Sequence, residues 1–252
     1  MTDPEVYLAQ LELASTDDLS LLPSGAGYQN DDLKIAEEQA FVNERSIVSF
    51  VANVSPTARE DVLDSTLLAA LAAEKKHPKN SNPQAWYEAY VEVLTNIGWV
   101  QTTNERRNYE TKAAEFDVDK AVVEIMTGLV GGPLGQAILI ERTLNALRDL
   151  ADEDGKIKIF ELSSQNLDTS NFQVGMVSEE GGAVSLNVSN FVFQTKAGQR
   201  RVLFFKWGRD RAQLNYQFFQ GTLSPGIYAD IRSTVKRKLG VRPTAYIGEL
   251  EI

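Results

Sequence analysis

At Asp152-Glu153-Asp154-Gly155-Lys156-Ile157-Lys158-Ile159-Phe160-Glu161-Leu162 the spacing of the apolar residues changes. Upstream they recur every three or four positions, the period of a helix; from Lys156 they alternate, the period of a half-buried strand. The junction predicts an α+β protein, an N-terminal helical half packed on a C-terminal antiparallel β-sandwich or bent sheet with one inserted helix. Three regions follow: an irregular lead-in over 1–30, a helical half over 31–152 and a β half over 153–252. No Pro-, Gly- or Ser-rich linker separates the halves, so they are expected to share one interface.

Working back from the junction, Ala121 to Ile140 is almost wholly apolar, broken by Glu124, Thr127 and Gln136 and split by Gly131-Gly132-Pro133. It predicts an αα-hairpin buried in the centre of the helical half, each arm too short for the roughly twenty residues of a membrane span. Farther upstream Ser55-Pro56 and Asn82-Pro83 each place a capping side chain before a proline at the first turn, where its missing N–H costs nothing. The second of these helices carries Trp86, Tyr90, Leu94 and Ile97 on one face. The run from Asp31, with Leu33, Ile35, Ala36 and Ala40 among acids, also reads as helical. The turn-rich Leu22-Pro23-Ser24-Gly25-Ala26-Gly27 ends any helix begun at Val6.

Forward of the junction, strands are expected at Lys156 to Leu162, Phe172 to Val177, Val184 to Phe193, Arg201 to Trp207, Ala212 to Gln220 and Thr244 to Ile252. Gly181-Gly182, Ala197-Gly198 and Gly208 through Arg211 supply turns. The inserted helix opens at Ser224-Pro225 and stops at Gly240, with its cations in the last turn, where the helix dipole favours them.

The 252 residues contain no cysteine and one histidine, His77. Disulfide scaffolds, thiol nucleophiles and Cys-ligated metals are thereby excluded, and a His-rich metal centre cannot be built. The formal charge of −10 is unevenly spread. Residues 1–46 hold ten acids against Lys34 and Arg45, whereas 197–242 hold ten bases against Asp210 and Asp230. Two such ends lying side by side would neutralise each other. Met1-Thr2-Asp3-Pro4-Glu5 shows no basic segment leading into an apolar one, so the expectation is a soluble, acidic protein, cytoplasmic or exported without a cleavable signal peptide.

Candidate motifs reduce mostly to local structure. Asp152-Glu153-Asp154-Gly155 has the spacing of part of a calcium loop, but its first ligand position is Leu150 and two lysines follow, so a polar turn is expected. Asp117 and Asp119 stand where a helix begins, a capping position. His77 precedes proline in a lysine-rich break and reads as a surface residue. Gly128 through Gly135 lack the Gly-Lys-Ser/Thr end of a phosphate loop. No catalytic residue, cofactor or metal is assigned.

One segment remains. Gln199 to Arg211 gathers Arg200, Arg201, Lys206, Arg209 and Arg211 around Trp207, followed by Tyr216, Phe218 and Phe219. A hairpin turning at Gly208 would put Trp207 among cations, a combination suited to an anionic membrane or other anionic surface. The overall acidity disfavours nucleic acid as partner. The sequence therefore points to a non-enzymatic surface-binding protein, membrane-active in a toxin-like or effector-like manner, with Arg200, Arg201, Lys206, Trp207, Arg209 and Arg211 as its contact. Two other readings stand beside it: an intracellular interaction or scaffold protein that self-associates through its β edges or binds a protein partner, and a hydrolase whose carboxylate pair is assembled only in space.

Overall fold

The computed structural model describes residues 3–15, 33–78, 81–109, 115–130, 134–166, 168–194, 201–204, 206–208 and 214–252. Its fold is α+β, with helices on both faces of one mixed sheet. Strands β1 (Gln39–Asn43), β2 (Ser46–Phe50), β3 (Trp99–Tyr109), β6 (Thr169–Glu180), β7 (Ala183–Gln194), β9 (Leu214–Leu223) and β10 (Ile247–Leu250) lie in the order β10-β1-β2-β6-β7-β9-β3. The short β5 (Gln165–Asn166) pairs with β6, and β4 (Glu115–Asp117) with β8 (Lys206–Gly208) forms a separate two-stranded ribbon. The β2–β6 pair is parallel and the other pairs are antiparallel.

Helices α1 (Pro4–Gln10), α2 (Pro56–Lys76), α3 (Pro83–Asn96) and α7 (Pro225–Leu239) cover one face. Their apolar residues join Phe41, Val48, Phe50, Val177, Leu186, Val188 and Phe219 of the sheet in one core. Helices α4 (Val118–Val130), α5 (Leu134–Asp149) and α6 (Gly155–Ser164) cover the other, against Val42, Ile47, Phe172, Val174, Met176, Phe191 and Phe193. The alternating side chains of each strand thus feed two separate cores, as the pleat requires. A last short helix, α8 (Arg242–Tyr246), leads into β10.

The helix starts hold, with side-chain caps at Ser55 and Asn82 and none at Ser224. Ser55 Oγ accepts from Ala58 N at 3.3 Å and Asn82 Oδ1 from Ala85 N at 3.1 Å, and α7 runs from Pro225 to Leu239 with Gly240 at φ +59°. Trp86, Tyr90, Leu94 and Ile97 are all buried. Gly181 and Gly182, both at positive φ, turn β6 into β7, a conformation that glycine adopts without a Cβ clash.

Four expectations are corrected. The sheet is not confined to the C-terminal part: of the stretch read as helical, Leu33, Ile35 and Ala36 lie in a turn segment and Ala40 in β1 of the β1–β2 hairpin, Asp31 lies outside the described residues, and β3 also precedes the junction. Every residue of β1 and β2 is buried, so these central strands show no alternation to betray them. Lys156 to Leu162 is helix α6, not a strand, because Asp154 Oδ1 accepts from Lys156 N at 2.8 Å and starts a helix whose Ile157 and Phe160 face the core. Arg201 to Trp207 is a 3-10 turn over Val202–Phe204 followed by β8, and α8 takes the first part of the strand expected from Thr244. Finally, the Ala121 to Ile140 hairpin is α4 and α5, an outer layer on the face opposite α2 and α3 rather than the centre of a helical half. Its hinge, 131–133, and the lead-in turn at 22–27 lie outside the described residues.

Candidate functional site

The described part of the basic aromatic segment, residues 201–204 and 206–208, lies beside β4, α4 and α5. Lys206, at the start of β8, is opposite Asp117 in β4, and Trp207 is opposite Phe116. Asp117 ends its strand directly before α4. Lys120, one turn into that helix, reaches back to its carboxylate at 2.7 Å, and Lys206 approaches from the ribbon at 3.5 Å. The Lys120 hydrogen bond, reinforced by both lysine charges, holds the Asp117 carboxyl below its ordinary pKa. Both ammonium groups stay in solvent, their side chains 77% and 67% exposed. The ribbon thus displays two cations around one carboxylate.

Arg201 is used differently. It has φ +58°, rare for a residue with a Cβ, and its guanidinium turns inward on the end of α5. Nε and Nη2 donate to Asp152 Oδ1 at 2.9 and 2.6 Å, Nη2 also to Leu150 O at 2.5 Å, and Nη1 to Arg148 O at 3.2 Å. Its backbone N–H donates to Glu161 Oε1 at 2.7 Å. A cation on the last carbonyls of a helix satisfies acceptors that have no intrahelical partner and suits the dipole. Arg201 therefore clamps α5 to α6, while Lys206 stays in solvent beside Asp117. Arg200, Arg209 and Arg211 lie outside the described residues, as do the turns at 197–198 and 209–211.

Two cations of the basic tail, Arg232 and Lys236, are engaged by a group that no motif announces. Three acids of α2, Glu60, Asp61 and Asp64, face α7. Arg232 grips Asp61 with two bonds of 2.6 and 2.7 Å, and Lys236 meets Glu60 at 2.6 Å. Asp64 is buried without such a direct pair, and burial beside Glu60 and Asp61 pushes its carboxyl up to about 7, against the opposing pull of Lys236. The head and tail of the chain do adjoin, Thr234 donating to Glu5 Oε1 at 2.9 Å, but the basic helix is neutralised chiefly by α2. Three acids within five residues, ahead of the apolar Leu67–Ala73 run of α2, were the signal available. The three acids sit on consecutive turns of one helix and are closed in by α7.

A second unforeseen feature is a polar row across six strands. Asn43, Ser46, Gln173, Asn190, Gln217 and Arg106 are successive register partners from β1 to β3. Asn43 Nδ2 donates to Leu63 O and Thr66 Oγ1 of α2 at 3.0 and 2.9 Å, Ser46 Oγ to Gln173 Oε1 at 2.7 Å, and Arg106 Nη1 to Gln84 Oε1 of α3 at 2.5 Å. In the middle of the row Gln173 Nε2 and both amide atoms of Asn190 are buried without a protein partner.

Among the described residues no group of three His, Asp or Glu is placed to hold a metal ion, and no helix is long and apolar enough to cross a membrane. No family model matches the chain, and no curated protein matches it. Solved structures with some likeness include the Evf virulence factor, at 12% identity and TM-score 0.42, covering 99% of this chain and 91% of that one. A delta-endotoxin follows at 11% and 0.37, covering 72% of this chain and 79% of its own. The activated monomer of Cyt2Ba from Bacillus thuringiensis subsp. israelensis stands at 11% and 0.36, covering 72% and 95%. With all three scores below 0.5, neither residues nor activities carry over from them.

Proposed function

We propose that the protein is a non-enzymatic binding protein of a toxin-like or effector-like kind that adheres to an anionic membrane surface through the β8 end. The contact comprises Lys206, Trp207, Arg209, Arg211 and Arg200, joined by Lys120 from α4. Arg201 is left out of it, because its guanidinium is spent on the end of α5. The observation that supports this reading most is the exposure of Lys206 and Lys120 on either side of Asp117, next in sequence to a tryptophan and two further arginines. Cations near an anionic bilayer contribute about 1 kcal/mol each, and a tryptophan ring sits well at headgroup depth. The attraction is local, since the chain as a whole is acidic.

Co-sedimentation with vesicles containing phosphatidylserine tests it. The protein should pellet at low salt and stay increasingly in solution as salt screens the charges. Trp207→Ala should weaken adhesion and keep its salt dependence, whereas the double reversal Arg209→Glu with Arg211→Glu should remove most of that dependence. A wild-type protein that stays in the supernatant at low salt, or variants that bind like it, would sink the reading.

A further inference from the structure

Strand β3 is eleven residues long, ends the sheet, and among the described residues pairs only with β9. From Val100 to Asn108 each residue except the half-buried Thr103 is exposed, so the outer side of this strand is uncovered backbone. Such an edge presents a row of free N–H and C=O groups, and proteins commonly guard it with charge. Here the charges have a particular order. The register with β9 slips between Gln101 and Thr103 and then runs unbroken from Thr103 to Tyr109, a seven-residue segment whose midpoint is Arg106. Glu105 and Arg107 stand on either side of that midpoint, on one face of the sheet, already joined at 2.5 Å. The midpoint residue points to the other face, where Gln84 of α3 holds its guanidinium at 2.5 Å.

We propose that the β3 edge is the docking surface for a second copy of this chain, paired antiparallel about a two-fold axis through Arg106. In that register residue i faces residue 212 − i of the other copy: Glu105 faces the partner's Arg107, Arg107 the partner's Glu105, Asn104 the partner's Asn108 and Thr103 the partner's Tyr109. The four charges form a square of alternating sign, each carboxylate between two guanidiniums and each guanidinium between two carboxylates. The charges that repel most strands at this edge thus attract one partner in one register, and the two sheets become continuous. Arg106 meets its own copy on the axis, but its side chain is drawn off toward α3. A two-fold axis makes the contact self-limiting: among the described residues each chain has one long edge of this kind, and the other end of the sheet is the four-residue β10. Any other protein would need the same alternation to fit, which is why the second copy is the occupant favoured.

Sedimentation equilibrium of the full chain, from micromolar to near-millimolar concentration, is the measurement. The wild type should show a monomer–dimer equilibrium that added salt weakens. Arg107→Glu puts four carboxylates in the square and should raise the dissociation constant at least about tenfold, since cross-strand charge pairs and repulsions each contribute up to about a factor of five. The charge swap Glu105→Arg with Arg107→Glu inverts the square and restores the alternation, so its dimer should return to within about threefold of wild type, the cycle isolating the pairing from the substitutions themselves. Both substitutions are at exposed positions, and unchanged circular dichroism shows the fold is kept. A wild type that stays monomeric throughout, an Arg107→Glu protein that dimerises as well as wild type, or a swap that fails to restore the dimer would each overturn the proposal.

Discussion

The two faces of the sheet are sealed by helical layers that treat charge in opposite ways. On the α2–α3 side charges are taken inside: Arg45, Arg59, Asp61 and Asp64 are all at most 5% exposed. On the α4–α6 side each helix buries one stripe, and its ions meet at the rim, Arg148 with Asp119, Lys120 with Asp117 and Arg142 with Glu38. A buried charge must find a partner or, like Asp64, hold a proton, and the partners fix the position of the helix that carries it; rim charges tolerate water and fix little. The first layer should therefore be held in one alignment by its polar contacts, and the second mainly by apolar area, with the Arg201 clamp and the buried Ser49–Thr143 hydroxyl pair as its inner polar ties.

The largest test of that difference is Arg59→Ala. Arg59 is fully buried in α2, and its guanidinium ties the helix to the chain on both sides of the β1–β2 hairpin. Nε donates to Val54 O at 2.9 Å, Nη1 to Gln39 Oε1 at 2.8 Å, and Nη2 to Glu37 O at 2.7 Å and Val51 O at 3.3 Å, above the ring of Phe50. Removing it strands these acceptors, and a loss of about 3–5 kcal/mol is expected in reversible denaturation. A loss below about 1 kcal/mol would mean that the first layer is no more polar in its energetics than the second.

How much of this was legible before the fold was known follows the same division. Ser55-Pro56 and Asn82-Pro83 announced α2 and α3 because capping is a local transaction between neighbours in sequence, and Pro225 announced α7 through the first-turn position alone, Ser224 making no side-chain cap bond. The face of Trp86, Tyr90, Leu94 and Ile97 was likewise local. The β1–β2 hairpin was not, because strands covered on both faces lose their alternation, and Gln39 and Asn43 gave its ends a polar look. Ile157 and Ile159 argued for a strand through their branched side chains, and the Asp154 cap outweighed them. The candidate contact was legible as composition only: nothing in the run Arg200-Arg201 says that Arg201 folds back on Leu150 and Asp152, while Lys206 projects. The polar row and the charge order of β3 depend on register between segments as far apart as residues 43, 106 and 217, which no local pattern encodes.

A smaller effect sharpens the contrast through pH. Asp64 sits among Glu60, Asp61 and Tyr228, with Lys236 opposing and Arg232 held by Asp61. Its carboxyl is raised from 3.8 to about 7 in the folded state, so between these values the folded chain holds a proton that the unfolded chain has released. The contribution of this group is thus fully present below about pH 4 and lost as pH rises through about 7, opposite in sign to a carboxylate stabilised by a salt bridge. A tenfold change in proton affinity corresponds to about 1.4 kcal/mol, so even half of this elevation is worth about 2 kcal/mol. Subtracting the stability of Asp64→Asn from that of wild type at each pH should give a difference that falls across this window. A difference that is flat or rises with pH would place Asp64 in a setting as wet as the rim of the second layer.

The smallest effect belongs to the rim itself. Arg148, in the last turn of α5, pairs with Asp119 in the first turn of α4 and lies 4.9 Å from the ring centre of Phe204, with 43% of its side chain exposed. Its charge is well placed, a cation at a helix C-terminus facing an acid at a helix N-terminus, yet both groups keep water and both are screened. Arg148→Met retains an aliphatic contact with Phe204 and removes the charge together with an exposed hydrogen bond to Asn145 Oδ1. The expected loss is under about 1 kcal/mol, and it should narrow further in high salt, where wild type loses the same attraction. The buried α2–α7 pair offers the contrasting case within the molecule, since salt reaches Asp61 and Arg232 poorly. If Arg148→Met costs more than about 2 kcal/mol, or if its cost ignores salt, then α4 and α5 are aligned by that ion pair as α2 is by its own, and the division between the two layers does not hold.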